Sequence, residues 1–453
     1  MIRSLLTTCP SLKCPFLTVT LPSEKAAADI ASRSVLIKGF FEKWGEGKTY
    51  EELLASLDKY PREKMEIYGA ADKSFKFVVD GFGRKYDNAE RIEIMKRFAS
   101  LPLHGKISLE EPDNRFWIVE DIGNNAPKDM PPRKIYFARQ IAEGEGRVAI
   151  DKYSLKKRGY LGTTSMSSEW SLLMANQALA RSGSFVFDPF VGTGSILVGC
   201  AHFGAMTIGG DIDPRVLRGD TKLNQQVTDG STNIFTNFAQ YKMDDRLVDL
   251  VACDGSRPCW RRNAQWYDAI VGDPPYGVRA GARKIGKKVK RKVKEARVDL
   301  YHACPLRPWQ LQAIPPGCSD LPHIPQSVPY DVPDVLRDLL VFAAQTLVMG
   351  GRLVYWLPTT DQYKDSDVPL HPCLKLLANS EQVLSMRLRR RLITMEKIMD
   401  FDPSIHSDIT VTYGEDAEGP AHAHVSDYFL KRKQFAEDKK EPHASKEEAS
   451  SSS

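Results

Sequence analysis

The pattern of hydrophobic and polar positions changes once decisively along the chain. Up to about residue 150, short strand-like and helix-like runs alternate. SFKFVVDGF (74–82) is rich in β-branched and aromatic residues and ends in a glycine turn, the pattern of a strand. NAERIEIMKRFASLP (88–102) sets Ile92, Met95 and Phe98 near helical spacing behind a capping Asn88. NRFWIVED (114–121) predicts a further short strand. This mixture predicts an α+β unit separate from the rest of the chain.

From about residue 160 the succession is strand, glycine turn, helix. FVFDPF passes through VGTG into the helical SILVGCAHFG, and MTIGGDI, NIFTNF, DAIVGDPP and GGRLVYWLP supply further strands. Strands separated by crossovers predict an α/β fold with a parallel, doubly wound sheet. The periodicity vanishes between Val278 and about Tyr330. Beyond about residue 415 the chain is rich in Glu, Lys and Ser, which predicts a disordered tail.

The length of 453 residues exceeds one ordinary core and predicts two to three domains. A composition of 42% hydrophobic and 27% charged residues excludes global disorder. It also leaves no membrane span, because the most apolar stretch (339–358) is broken by Gln345, two glycines and Arg352. The net charge of +5 matters only through its distribution: positions 279–297 hold ten basic residues against the single Glu295. That run comes directly after DPPYG, which favours contact with nucleic-acid phosphates over a merely solvated loop. Eight cysteines without a C-x-x-C pair argue against a zinc ribbon or a disulfide scaffold and for a reducing, cytoplasmic setting. None of the nine histidines has metal-ligand spacing. The acid-free first 23 residues faintly resemble a transit peptide, but Pro10 and Pro15 favour a shortened domain edge.

Two motifs carry chemistry. In DPFVGTGS (188–195), Gly192 and Gly194 permit backbone angles closed to other residues, and a helix start near Ser195 offers unpaired N–H groups. The dinucleotide fingerprint is excluded: Leu197 stands where its third glycine would fall, and Asp188 would repel a pyrophosphate. A carboxylate there suits a cationic ligand, such as the ammonium and sulfonium of S-adenosylmethionine. Downstream, MTIGGDID places Asp211, with Asp213 as the spare, to accept bonds from ribose hydroxyls. VACDGS offers Asp254 to an adenine amine.

The second motif is Asp273-Pro274-Pro275-Tyr276, at the end of a strand. Two prolines fix φ and remove two donors, so the loop leaves the sheet as a stiff bracket. The Asp273 carboxylate and the Pro274 carbonyl then face a base amine unobstructed, both as acceptors. They draw the amine towards tetrahedral geometry and stabilise its developing positive charge. Tyr276 offers a face for stacking the base.

Taken in order, KKRGYLGTTSM, MANQAL, FDPFVGTGS, CAHFGA, GGDID, DPPYGVR, GGRLVYWLP, HPCL and RRLITMEK resemble class I S-adenosylmethionine-dependent amino-methyltransferases. More closely, the run is similar to the catalytic subunits of the eukaryotic tRNA guanine-10 N2-methyltransferases, over about residues 17–400. The resemblance implies a class I methyltransferase doubly wound sheet over 151–414, with a basic insertion at 278–330. It implies a ferredoxin-like and THUMP RNA-binding region over 17–150, after an irregular 1–16 and before the tail 415–453. Departures are SSEW after TSM, and Ser195 in place of a common glycine.

By this resemblance, Asp273, Pro274, Pro275 and Tyr276 are catalytic, and Asp188, Gly192, Gly194, Asp211, Asp213 and Asp254 hold the cofactor. The substrate would be tRNA, and a small zinc-binding activator subunit would complete a heterodimer. In the sheet order expected for this class, NIFTNF (233–238) is an open edge, and residues 231–240 lack the Lys or Pro that usually guard one. Strand addition there is the expected mode of partner binding. The competing functions are an adenine-N6 or protein-glutamine methyltransferase using the same DPPY loop, and a non-catalytic RNA-binding protein.

Overall fold

The computed structural model of the chain describes residues 15–123, 127, 130–219, 232–261, 264–276, 283–286, 327–406 and 425. The basic run 279–297 therefore lies outside the described residues apart from 283–286, as does the tail from 415 apart from Val425. Two compact units divide the chain, Met1–Lys152 and Tyr153–Ser453.

In the first unit, α1 (Glu24–Arg33) precedes β1 (Gly39–Gly47), and α2 (Tyr50–Leu57) and α3 (Arg62–Gly69) lead to β2 (Ser74–Phe82). Then come α4 (Asn88–Lys96), β3 (Lys106–Ile107), β4 (Asn114–Asp121), β5 (Lys134–Glu143) and α5 (Gly146–Lys152). The sheet order is β1-β5-β4-β2-β3, with β2 parallel to both its neighbours and the other pairs antiparallel. Aromatic side chains dominate the core, where Trp44, Phe98, Phe116 and Phe137 pack together. The buried Glu120 is tolerated there because the hydroxyls of Tyr50 and Tyr86 both donate to it.

The predicted helix is displaced by one residue at its start. Asp87, not Asn88, is the cap: its carboxylate accepts from Glu90 N at 2.8 Å, while Glu90 accepts from Asp87 N at 2.9 Å. That capping box fixes the helical phase so that Ile94 is buried and Ile92 is exposed.

In the second unit, α6 (Ser168–Gln177), β6 (Phe185–Asp188), α7 (Ser195–His202), β7 (Met206–Asp211), α8 (Pro214–Arg218), α9 (Ile234–Gln240) and β8 (Leu247–Ala252) run in order. After them come β9 (Tyr267–Gly272), the short pair β10 (Arg283–Ile285) and β11 (Ser327–Pro329), and α10 (Val332–Thr346). The unit closes with β12 (Leu347–Thr360), β13 (Leu374–Val383), β14 (Leu388–Lys397) and α11 (Pro403–His406). The large sheet has the order β13-β14-β12-β9-β6-β7-β8. Its five strands from β12 to β8 are parallel, and β14 and β13 are antiparallel additions. This is the doubly wound α/β sheet. Ala269, Ile270 and Val271 of β9 are wholly buried, as expected of a parallel strand covered on both faces. The chain runs β6, β7, β8 in one direction and returns to place β9 and β12 on the other side of β6. The order thus reverses at β6, where such sheets open a crevice at the strand C-termini.

NIFTNF is not a strand. Asn233 caps α9, accepting from Thr236 N at 3.1 Å, while Asn233 N donates to Thr236 Oγ1 at 2.9 Å. Ile234 and Phe238 are buried four residues apart, a helical spacing, and Phe235 is exposed. The Asn237 amide exchanges two 2.9 Å bonds with the backbone of Tyr160. Among the described residues the sheet's two edges are β8, which pairs with β7 alone, and β13, which pairs with β14 alone. No helix among the described residues is long and apolar enough to cross a membrane.

Candidate active site

β6 ends at Asp188, and the next six residues turn the chain into α7. Gly192 (φ +50°) and Gly194 (φ +79°) both adopt the left-handed conformation that disfavours side chains. The turn is tied to β7 twice: Val191 N donates to Gly210 O at 2.9 Å, and Gly192 N donates to Asp211 Oδ2 at 3.0 Å. The other Asp211 oxygen accepts from Asp213 N at 2.9 Å. Ser195 opens α7 and accepts from the buried Arg158 guanidinium at 2.7 Å. Upstream, the GTTSM segment folds against the same turn, with Ser165 Oγ 2.8 Å from Thr193 Oγ1.

These elements and the DPPY loop enclose a cavity of ≈ 830 Å³. Gly192, Asp211, Asp213, Asp273, Pro274 and Tyr276 stand on its wall, so the structure brings the two sequence motifs together. Its volume suits a nucleoside-sized ligand with room for a second group. Asp188, Gly194 and Asp254, also expected to hold the cofactor, are not among the described lining residues; Gly194 shapes the turn behind the wall. Asp188 is fully buried: its Oδ1 accepts from Phe190 N at 2.9 Å, and its Oδ2 has no partner among the described residues. Asp254 is occupied by its own loop and by β10, accepting from Ser256 N and Oγ at 2.9 and 2.8 Å and from Ile285 N of β10 at 2.7 Å. Its neighbours Cys253 and Gly255 reach the wall instead.

Charge separates these carboxyls. Burial pushes Asp188 well above the usual carboxylate range, and the nearby Asp211 and Asp273 push it further. Burial raises Asp211 as well, against the opposing backbone bonds from Asp213 and Gly192. Asp213 is the opposite case: Arg215 bonds it through Nε and Nη2 at 2.9 and 2.7 Å and lowers it. Asp213 also caps α8 through Arg215 N at 3.0 Å, so its carboxylate is largely engaged.

The DPPY loop departs from the unobstructed arrangement expected of it. The Tyr276 hydroxyl donates to Asp273 Oδ1, and Arg390 Nη1 stands 3.7 Å from Asp273 Oδ2. Burial raises Asp273, while Tyr276 and Arg390 oppose that rise. The Tyr276 ring packs on the core cluster that contains Trp356. The Arg390 guanidinium carbon stands over Trp356, 3.9 Å from its ring centroid, and its Nε donates to Gln382 Oε1 at 2.7 Å. Arg390 falls within the RRLITMEK motif, whose sequence alone assigns it no task. The cue to its role is positional: in three consecutive arginines on a strand, the middle one faces away from the other two. Arg389 and Arg391 both reach Glu381, and Arg390 alone faces the DPPY loop.

Comparison with known proteins agrees with this geometry. Residues 7–146 match the family described as the Tmrp11 THUMP N-terminal domain, and residues 156–303 match the RMKL-like methyltransferase domain. The chain is 41% identical over 399 residues to the tRNA (guanine(10)-N(2))-methyltransferase TRMT11 of Mus musculus, covering 86% of this chain and 81% of that protein. The same enzyme of Dictyostelium discoideum is 41% identical over 413 residues, covering 88% and 75%. That of Homo sapiens is 40% identical over 396 residues, covering 86% and 81%. With a glycine turn, an acid at the end of β7 and a DPPY loop around one cavity, and with relatives this similar along most of its length, the chain belongs to the tRNA (guanine(10)-N(2))-methyltransferase family.

Proposed function

We propose that this chain transfers a methyl group from S-adenosylmethionine to the exocyclic N2 amine of a guanosine in tRNA, at position 10. The observation that carries the reading is the single cavity walled by both motifs, in a chain 40–41% identical to named enzymes of that activity. In this reading residues 17–150 bind the RNA and 151–414 hold the chemistry. The basic run 279–297, which follows DPPYG in sequence, contributes contacts to tRNA phosphates.

The cavity fits the cofactor on chemical grounds. Three carboxyls, Asp188, Asp211 and Asp273, are all pushed upwards, the first fully buried and the other two partly buried on the cavity wall, and Asp188 Oδ2 has no partner among the described residues. A ligand carrying positive charge relieves all three. Asp211 and the backbone of Gly192 would hold the nucleoside and amino-acid parts, with Gly194 shaping the turn behind them and Asp188 beneath as an acid that positive charge would favour ionising. Asp213 and Asp254 act indirectly, fixing α8 and the loop after β8.

When bound, S-adenosylmethionine supplies an electrophilic methyl on a sulfonium, so the chain needs to position the amine and manage one proton. Asp273 and the Pro274 carbonyl accept the amine hydrogens and orient the nitrogen lone pair. As the N–C bond forms and the C–S bond breaks, positive charge grows on the nitrogen. The Asp273 carboxylate stabilises it and takes the surplus proton. Tyr276 holds Asp273 through its hydroxyl.

A small zinc-binding activator subunit is part of this reading, as is a cytoplasmic location. The support for the partner is the edge of β8, LVDLVA, which pairs with β7 alone among the described residues and where Val248 is 49% exposed. The function is tested by incubating the full chain, co-expressed with such a subunit, with unmodified tRNA and mapping methylated nucleosides by mass spectrometry. N2-methylguanosine at position 10 is expected. Methyl groups at adenine N6, or none despite measured cofactor binding, would overturn the assignment.

A further inference from the structure

Arg390 is out of place in a cavity that holds a cationic cofactor. A guanidinium in that wall opposes the ligand unless something else in the site needs hydrogen-bond donors. Its position is firmly set: it stands over Trp356 at 3.9 Å, held at Nε by Gln382, and approached by Trp170 at 5.9 Å. The ring contact and the Nε bond leave the outer fork beside the DPPY loop, with Nη1 3.4 Å from the Tyr276 hydroxyl and 3.7 Å from Asp273 Oδ2. A guanidinium carries five N–H donors in a fixed plane and accepts nothing. The site therefore sets a pure acceptor, Asp273, next to a pure donor, Arg390, on the cavity wall.

That order matches one base edge. Guanine presents O6 as an acceptor, then N1–H and the N2 amine as donors. The carboxylate meets N1–H and N2–H, and the guanidinium meets O6. Adenine presents an amine where guanine has O6 and a lone pair where guanine has N1–H. It would set donor against donor and acceptor against acceptor.

We infer that Asp273 and Arg390 together read the Watson–Crick edge of guanine, with Arg390 donating to O6 and so excluding adenine-like edges. The inference rests on the reading of this site as a guanine N2-methyltransferase and assigns its base selectivity to a named residue.

The test uses tRNA assembled with guanosine or with 2,6-diaminopurine at the target position. Diaminopurine keeps the N2 amine to be methylated but replaces O6 by an amine and N1–H by a lone pair. The wild-type chain should prefer guanosine by at least ~10³-fold in kcat/KM, as sites built around buried hydrogen bonds do. Arg390→Gln should reduce that ratio by at least ~10-fold, and Arg390→Lys should fall between the two. A second measurement compares unreactive competitors, tRNA carrying inosine (O6 and N1–H kept) or adenosine at that position. The inosine preference of the wild type should shrink in both variants. Calorimetric binding of S-adenosylmethionine verifies that each variant is folded. If the variants lose activity but keep the wild-type ratio and competitor preference, Arg390 serves only the charge of Asp273 and the inference fails. If the wild type binds cofactor and leaves guanosine unmethylated, the function itself fails instead.

Discussion

Asp211 Oδ2 accepts a hydrogen bond from Gly192 N at 3.0 Å, so the acid that ends β7 also closes the turn that begins α7. A residue expected only to touch ligand is thus also part of the frame. Asp211→Ala should weaken S-adenosylmethionine by ~10–100-fold, by loss of a ribose acceptor and loosening of the turn. Asp213→Ala should weaken it less, since that carboxylate is engaged by Arg215. Calorimetric titration of both variants checks the order, and a larger loss at Asp213 would reverse the assignment.

The two glycines of the turn should fail in different ways. A Cβ on Gly194 would meet Ile234 Cγ2 at 2.8 Å, in a backbone conformation with φ +79°. Gly194→Ala should therefore lower Tm, costing about 1–3 kcal/mol from strain and collision. A Cβ on Gly192 meets no described atom nearer than Phe190 O at 3.9 Å. Gly192→Ala should cost only about 1 kcal/mol of stability yet lose cofactor affinity, because the added methyl stands on the cavity wall. Thermal unfolding with and without cofactor separates the two effects.

The sequence made some of this site legible and hid the rest for physical reasons. The strands SFKFVVDGF, NRFWIVED and FVFD read correctly because β-branched and aromatic runs bounded by turns are local signals. NIFTNF misled because its apolar residues suit either period, and the deciding facts are the reciprocal Asn233–Thr236 cap and the Asn237 bonds to Tyr160. The partner in the second of these is 77 residues away in sequence. Arg390 was hidden for the same reason, since only the antiparallel return of β14 beside β12 brings it to Asp273. Asp273 and Asp211 were visible because their motifs carry the chemistry within a few residues.

Asp188 should act in opposite directions on stability and on cofactor affinity. Its carboxyl is raised above the ordinary value of 3.8, chiefly by burial. The folded chain holds this proton to higher pH than the unfolded chain. The unliganded protein therefore loses stability as pH rises from the ordinary value through the raised one. Asp188→Asn removes the ionisable group, and with it the pH-dependent loss, and keeps an oxygen for Phe190 N. Without cofactor, its Tm at neutral pH should exceed that of the wild type, while its affinity for S-adenosylmethionine falls at least ~10-fold. A lower Tm together with unchanged affinity would mean that Asp188 is a structural acid only.

Tyr276 and Asp273 set the pH dependence of turnover. Burial raises the Asp273 carboxyl, and the Tyr276 hydroxyl bond opposes the rise. Asp273 must be ionised to accept the amine hydrogens, so kcat should fall on the acid side, at a pH above that of an ordinary carboxylate. Tyr276→Phe removes the opposing bond and should move this acid limb to higher pH while leaving the plateau within ~10-fold. An unmoved limb would mean that the proton measured belongs to another group.

With NIFTNF helical, the edge at that end of the sheet is β8, and it is the edge proposed for a partner. It pairs with β7 on one side, and on the other side no strand among the described residues pairs with it, so its backbone groups there can be satisfied by strand addition from a second chain. Val248 falls at the register shift between Leu247 and Asp249 in the pairing with β7, and it is half exposed. A change there leaves the core of the sheet alone. Val248→Pro should remove a ladder donor and crowd an incoming strand, abolishing co-purification with the zinc-binding subunit. Val248→Thr keeps the β-branched shape and the N–H, and should co-purify normally. Cofactor binding by the Pro variant shows that the fold survives. Co-purification of Val248→Pro at wild-type yield would place the interface elsewhere, whereas loss confined to that variant would assign it to the edge of β8.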